Sequence, residues 1–143
     1  MVKLQDRGLA YRVRVVVNHP TDNLAVITEV TGLKGICWTR GEERFTANGK
    51  RLPGKHQFST WGCARTVRNS RAFSLGVRAM IDALMPAADL LQQIVATGGR
   101  AQLILDFEGY KNISDVVAPS DLSRLAQLGM SLGIEVFPDG NLR

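Results

Sequence analysis

Apolar and polar positions alternate one by one along residues 11–17, YRVRVVV. Tyr11, Val13, Val15 and Val17 fall on one side and Arg12 and Arg14 on the other, which is the period-two pattern of a β-strand with one wet face. Helical spacing follows. Leu24, Ile27 and Val30 lie within a turn of one another, Thr21 or Asp22 is placed to cap the helix, and Gly32 to stop it. Residues 33–55 hold no sustained period. Asn48-Gly49 and Pro53-Gly54 are turn signals, so this stretch reads as a long connection with a short hairpin around Asn48-Gly49. Connections of this length in compact domains are often functional. Residues 56–66 read as a second strand, with a bulge expected at Gly62.

Asn69 or Ser70 is expected to open the next helix, in which Phe73, Val77, Ile81 and Leu84 repeat at helical spacing. Met85-Pro86 breaks that pattern, and Pro86 suits the first turn of another helix with Leu90, Leu91, Ile94 and Val95 on its core side. Gly98-Gly99 end it, and residues 100–109 alternate again as a third strand. Ser120 is the expected cap of a last helix carrying Leu122, Leu125 and Leu128, stopped by Gly129 or Gly133. Residues 134–137 make a short final strand.

Half-apolar strands need one covered face, so this order predicts an α+β chain. The expected architecture is a two-layer α/β sandwich: an about four-stranded, mainly antiparallel or mixed sheet with helices on one face. A single domain is expected over residues 1–143, with its core at about 11–138. The outer sheet face would carry Arg12, Arg14, Gln102, Asp106 and Glu108, where opposite charges on neighbouring strands can pair.

Composition adds little until charge is considered. Hydrophobic residues make up 45% of the chain and charged residues 22%, which argues against disorder. No apolar run in the pattern approaches the ~20 residues of a membrane span, and residues 1–10 are too polar for a signal peptide. The expectation is a cytoplasmic protein without a membrane partner, its two cysteines reduced. The net charge of +5 is uneven. Nine basic residues between Lys34 and Arg71 face only Glu42 and Glu43, leaving this segment at +7 and the rest at −2.

Catalytic patterns are weak. Cys37, Cys63, His19 and His56 could ligate a metal, but even the nearest two, His56 and Cys63, are seven positions apart, outside the usual paired spacing. Cys63 beside Arg65 lacks the glycine-rich elbow of a nucleophile. Asp106 and Glu108 share a strand face where carboxylates are commonly solvated or paired. Phosphate-loop spacing is missing among the glycines. No catalytic residue, metal or cofactor is therefore expected. The candidate binding residues are Trp38, Arg40, Arg44, Lys50, Arg51 and Lys55, because Trp and Arg dominate interface energetics and clustered positive charge attracts acidic partners.

Several short motifs recur in a recognisable order: Asn18-His19-Pro20, Val30-Thr31-Gly32-Leu33, Trp38-Thr39-Arg40-Gly41-Glu42, Gly49 to Gly54, Phe58-Ser59-Thr60-Trp61, Leu84-Met85-Pro86, Gly98-Gly99 and Ile134-Glu135-Val136. In this the chain resembles the bacterial family of domain of unknown function 4279 over roughly residues 11–138. It departs from that pattern in the basic stretch from Cys63 to Ser70. The resemblance implies a compact α/β domain and carries no established activity. Together these readings lead to a non-enzymatic protein-binding module, immunity-like or regulatory, acting on a protein partner or as a homodimer. The alternative is nucleic-acid binding through residues 34–71.

Overall fold

The computed structural model describes residues 11–68, 70–109, 112–138 and 142. The chain runs β1 (Tyr11–His19), α1 (Val26–Thr31), β2 (Ile36–Trp38), β3 (Glu43–Phe45), β4 (Arg51–Lys55), β5 (Ser59–Val67), α2 (Phe73–Leu84), a 3₁₀ turn (Met85–Ala87), α3 (Ala88–Ala96), β6 (Arg100–Glu108), α4 (Pro119–Gln127) and β7 (Met130–Phe137). Five strands form one sheet in the order β2-β5-β1-β6-β7, and β3 and β4 pair separately as a two-stranded ribbon. All sheet pairs are antiparallel except β6 with β7. Parallel neighbours need a crossover, which α4 supplies. The fold is the expected α+β sandwich, with five strands in the main sheet rather than four.

The alternation in β1 is realised in full. Tyr11, Val13, Val15, Val17 and His19 are buried, while Arg12, Arg14, Val16 and Asn18 are half-buried on the other face. The helices cover the first face. Val77, Met80, Ile81 and Leu84 of α2, with Leu91 and Ile94 of α3, close over Val13, Val15, Leu103 and Leu105. Trp61 of β5 is fully buried, and its Nε1–H donates to Thr28 Oγ1 at 2.9 Å, which ties α1 to the sheet. Together Phe73–Ala96 make a helical stretch of 24 residues, with mean hydropathy 1.2 over an 18-residue window, long and apolar enough to cross a membrane by length and composition. The sequence pattern hid that length because Met85-Pro86 reads as a break. In the structure the 3₁₀ turn carries the helix axis onward, and the apolar side faces the core.

The sequence pattern missed β2, which at three residues is too short to show a period. It can reach β5 because residue 35 is glycine: a Cβ there would lie 1.7 Å from the Gly62 carbonyl oxygen. Gly62 forms no bulge and pairs in register with Val16. Helix starts also differ. Thr21 and Asp22 do not cap α1; their backbone N–H groups donate to His19 Nδ1, while Asn23 Oδ1 accepts from Ala25 N–H. Ser70 Oγ accepts from Ala72 N–H just ahead of α2, and Asn69 lies outside the described residues. Pro119 rather than Ser120 opens α4, which suits a residue with no N–H to leave unpaired. Leu122 is exposed rather than in the core. Gly129, at positive φ, ends α4, so β7 begins at Met130 and Gly133 lies within it.

On the outer face the expected charge pairing is present. Asp106 has no exposed surface, and it accepts from Arg12 Nε at 2.6 Å and from Arg14 Nε at 3.1 Å. Arg14 also reaches Glu135 on β7 at 2.9 Å, so one ionic chain spans β1, β6 and β7. Removing one member of a buried pair strands the others without a partner. Asp106→Ala should therefore cost on the order of 3 kcal/mol, measured as a lower urea midpoint with an unchanged slope.

A second ionic cluster clamps α2 to α4. Asp121 accepts from Arg124 Nη2 at 2.9 Å and Arg78 Nε at 3.0 Å, and Arg124 also reaches Asp82. Hydrogen bonds from Arg124, then Arg78, hold the Asp121 carboxyl below its usual range. Its stabilisation is thus present above the unfolded value of about 3.9 and is lost as pH falls through the lower folded value. Asp121→Asn should lower stability at neutral pH. Its urea midpoint should also fall less steeply than the parent's as pH drops from about 5 to about 2.

Candidate functional site

The long aperiodic stretch folds as a lobe beside the sheet edge. Its base is closed by backbone bonds from Gly41 N–H to His56 O at 2.9 Å and from His56 N–H to Glu42 O at 3.0 Å. The tip is a turn in which Thr46 N–H donates to Lys50 O at 2.7 Å, and Thr46 Oγ1 accepts from Lys50 N–H at 2.9 Å. The ladder between β3 and β4 slips between Glu43 and Arg44, where Pro53-Gly54 takes up the extra length. That irregularity turns Arg44 back along the ribbon, and its Nη1 donates to Pro53 O at 3.2 Å.

Two hollows flank this lobe. One, of about 530 Å³, lies between the ribbon and the 56–58 loop; Trp38, Arg44, Phe45, Lys55, His56 and Phe58 line it. Trp38 and His56 stack within it, ring centres 4.4 Å apart and planes 16° from parallel. The other, of about 440 Å³, opens where β1 ends and β6 begins; Asn18, His19, Arg40, Gln57, Phe58 and Arg100 line it. Phe58 and Gln57 border both hollows. Phe45 and Phe58 are 56% and 52% exposed, unusually open for phenylalanine. Among the described residues, Arg40, Arg44, Lys55 and Arg100 meet no carboxylate.

The structure gathers some of the candidate residues and separates others. Trp38, Arg44 and Lys55 share the first hollow, and Arg40 lines the second, its backbone N–H donating to Ser59 Oγ at 3.1 Å. Lys50 sits at the exposed ribbon tip and lines neither hollow. Arg51 is engaged with Glu43 at 3.0 Å. Phe45, His56, Phe58 and Arg100 join the site and lie outside the candidate set. Arg100 enters only through pairing, because β6 places it opposite Asn18.

The basic segment does not form one patch. β5 separates its two halves: Ser59 lies beside His19, while Val67 lies beside Tyr11 at the far end of the strand. Arg65 therefore lies six residues, roughly 20 Å at ~3.4 Å per residue, along β5 from Ser59, the end at which the hollows open, and Arg68 follows beyond the strand. The lobe itself, residues 34–58, has six basic and two acidic side chains, a net +4.

His19 braces the second hollow. It is 4% exposed, its Nδ1 accepts two backbone N–H bonds, and its Nε2 lies 3.0 Å from Thr97 Oγ1. Nδ1 must be unprotonated to accept, so Nε2 carries the hydrogen. Both ring nitrogens are thus occupied, Nδ1 by the turn that follows β1 and Nε2 by Thr97 at the end of α3.

The cysteines lie apart from both hollows. Cys63 faces the core with its Sγ 4.0 Å from Met80 Sδ, and burial pushes its thiol up to about 11 despite Arg65. That places it outside the range of an activated thiolate at neutral pH. Cys37 is exposed on β2, where desolvation and then the Glu42 charge raise its pKa. Native protein treated with iodoacetamide at about pH 8 should be alkylated at Cys37 with Cys63 spared, and peptide mapping by mass spectrometry would show the split. Among the described residues, no three His, Cys, Asp or Glu side chains are placed to share a metal ion.

Comparison with known proteins found no matching family model, no matching curated protein and no matching solved structure.

Proposed function

We propose that this chain is a non-enzymatic binding module that captures an acidic protein partner through the lobe and its two hollows, as an immunity or regulatory protein of the cytoplasm would. One observation carries the proposal: Phe45 and Phe58 stand open to solvent beside cationic side chains that meet no carboxylate in the described chain. Exposed aromatic rings in concave surroundings, with arginine beside them, are the composition of interface hot spots. Unpaired Arg40, Arg44, Lys55 and Arg100 add an attraction for carboxylates that speeds encounter and sets orientation. The family that the sequence resembles brings no activity with it, so the proposal rests on this geometry.

A second reading, single-stranded nucleic acid, is favoured by the Trp38–His56 stack between Phe45 and Phe58, since flat rings beside cations can stack bases. The spread of the basic segment weighs against it, because Arg65 and Arg68 lie toward the end of β5 away from the two hollows and add no charge beside the stacked rings.

The test is affinity capture from the native cell with three proteins: the parent, Arg44→Glu/Lys55→Glu, and Arg65→Glu/Arg68→Glu as a control of equal charge change. The expected result is a partner held by the parent and the control and lost from the lobe variant. Equal loss from both variants would reduce the effect to net charge and overturn the assignment. Labelled single strands that bind tightly, with affinity falling steeply as salt rises, would promote the second reading.

A further inference from the structure

Among the described residues β7 is an outer strand of the sheet and is paired along one edge only, with β6. Its register aligns Leu132, Ile134 and Val136 with the buried Leu103, Leu105 and Phe107, on the side of the sheet that the helices cover. These three are nevertheless 40%, 66% and 54% exposed. Leu122 of α4 is exposed too. It lies two positions before Arg124, roughly 200° around the helix, and so points away from α2, which Arg124 reaches through Asp82. An apolar strip thus borders a free strand edge of eight residues.

Soluble proteins usually guard such an edge with lysine, proline or a bulge. β7 has none of these. Its single charged residue, Glu135, points to the opposite face and is held by Arg14 at 2.9 Å.

We infer that a second copy of this chain docks on this edge, its β7 antiparallel to the first, across a two-fold axis at Ile134. That register satisfies the strand chemistry of both copies. Leu132 meets Val136 of the second copy, and Ile134 meets Ile134 of the second copy, so the apolar strip doubles on one face. On the other face Glu135 meets Gly133 of the second copy, and no like charges stand opposite one another. Charge also favours this edge for self-association. The basic lobe lies beside β2, at the other end of the strand order, four strand spacings or ~19 Å away. The two lobes of a dimer would therefore stand several Debye lengths apart, their repulsion screened. This inference is independent of the proposed partner, since it uses none of the lobe residues.

The experiment is light scattering on the full chain across a concentration series up to about 100 µM, with Ile134→Lys alongside. The parent should approach twice the 15.7 kDa of one chain. Ile134→Lys should weaken dimerisation about thirtyfold or more, with unchanged far-UV circular dichroism, because the site is exposed in the monomer. A cysteine pair tests the register even if the lysine variant misfolds. In a Cys37→Ser background, Ile134→Cys should cross-link to its own copy, since directly opposed Cα atoms lie ~4.5–5.5 Å apart. Leu132→Cys should not. A parent that stays monomeric throughout overturns the inference, and protected β7 amides in that monomer would assign the edge to a segment of the same chain. A dimer that survives Ile134→Lys and does not cross-link at residue 134 overturns it as well.

Discussion

Strand β1 pairs with β5 on one side and β6 on the other, residue for residue, and every other element is positioned from it. Its register cannot slip by one position. A slip would turn four valine and tyrosine side chains into water and two arginines into the core. The outer face adds an ionic lock: Asp106 sits between Arg12 and Arg14, and Arg14 passes the constraint on to Glu135 of β7. A carboxylate with no exposed surface on the side of the sheet away from the helices is held there by ion pairing, and these pairs hold only in this alignment of β1, β6 and β7. Apolar alternation and charge pairing thus specify one arrangement twice over.

Much of this was legible in the sequence because period two and period 3.6 leave long traces. β1, β6, α2 and α3 each carry nine residues or more, and their buried positions follow the apolar pattern. What stayed hidden was short or decided by partners. β2 has three residues and exists because Gly35 admits the chain beside Gly62. The amides of Thr21 and Asp22 turn to a buried histidine, a long-range choice that local capping preference does not encode. β7 extends four residues further back than its pattern suggests, since Met130, Leu132 and Gly133 show their strand character only beside β6.

The site was legible by composition and not by geometry. Trp38, Arg40, Arg44 and Lys55 stand out as aromatic and basic residues in a stretch without period, and they do line the hollows. Lys50 and Arg51 carry the same charge but are placed at the tip or paired with Glu43, which no count of charges distinguishes. Arg100 lies sixty positions from Arg40 and joins it through the pairing of β6 with β1. Arg65 and Arg68 show the converse: they are near in sequence to Phe58 and Ser59 and are carried away from the hollows by the length of β5.

The ribbon of β3 and β4 belongs to no other sheet. Its ladder is two strands wide, and the core cluster draws none of its members from either strand. Two-stranded ribbons of this kind open more readily than the sheet they adjoin. The ribbon residues that line the first hollow, Arg44, Phe45 and Lys55, can therefore change without disturbing the packing that holds the domain together. Mutation in this lobe is cheap in stability, so a lineage carrying this fold is free to exchange one binding preference for another while the framework beneath stays the same.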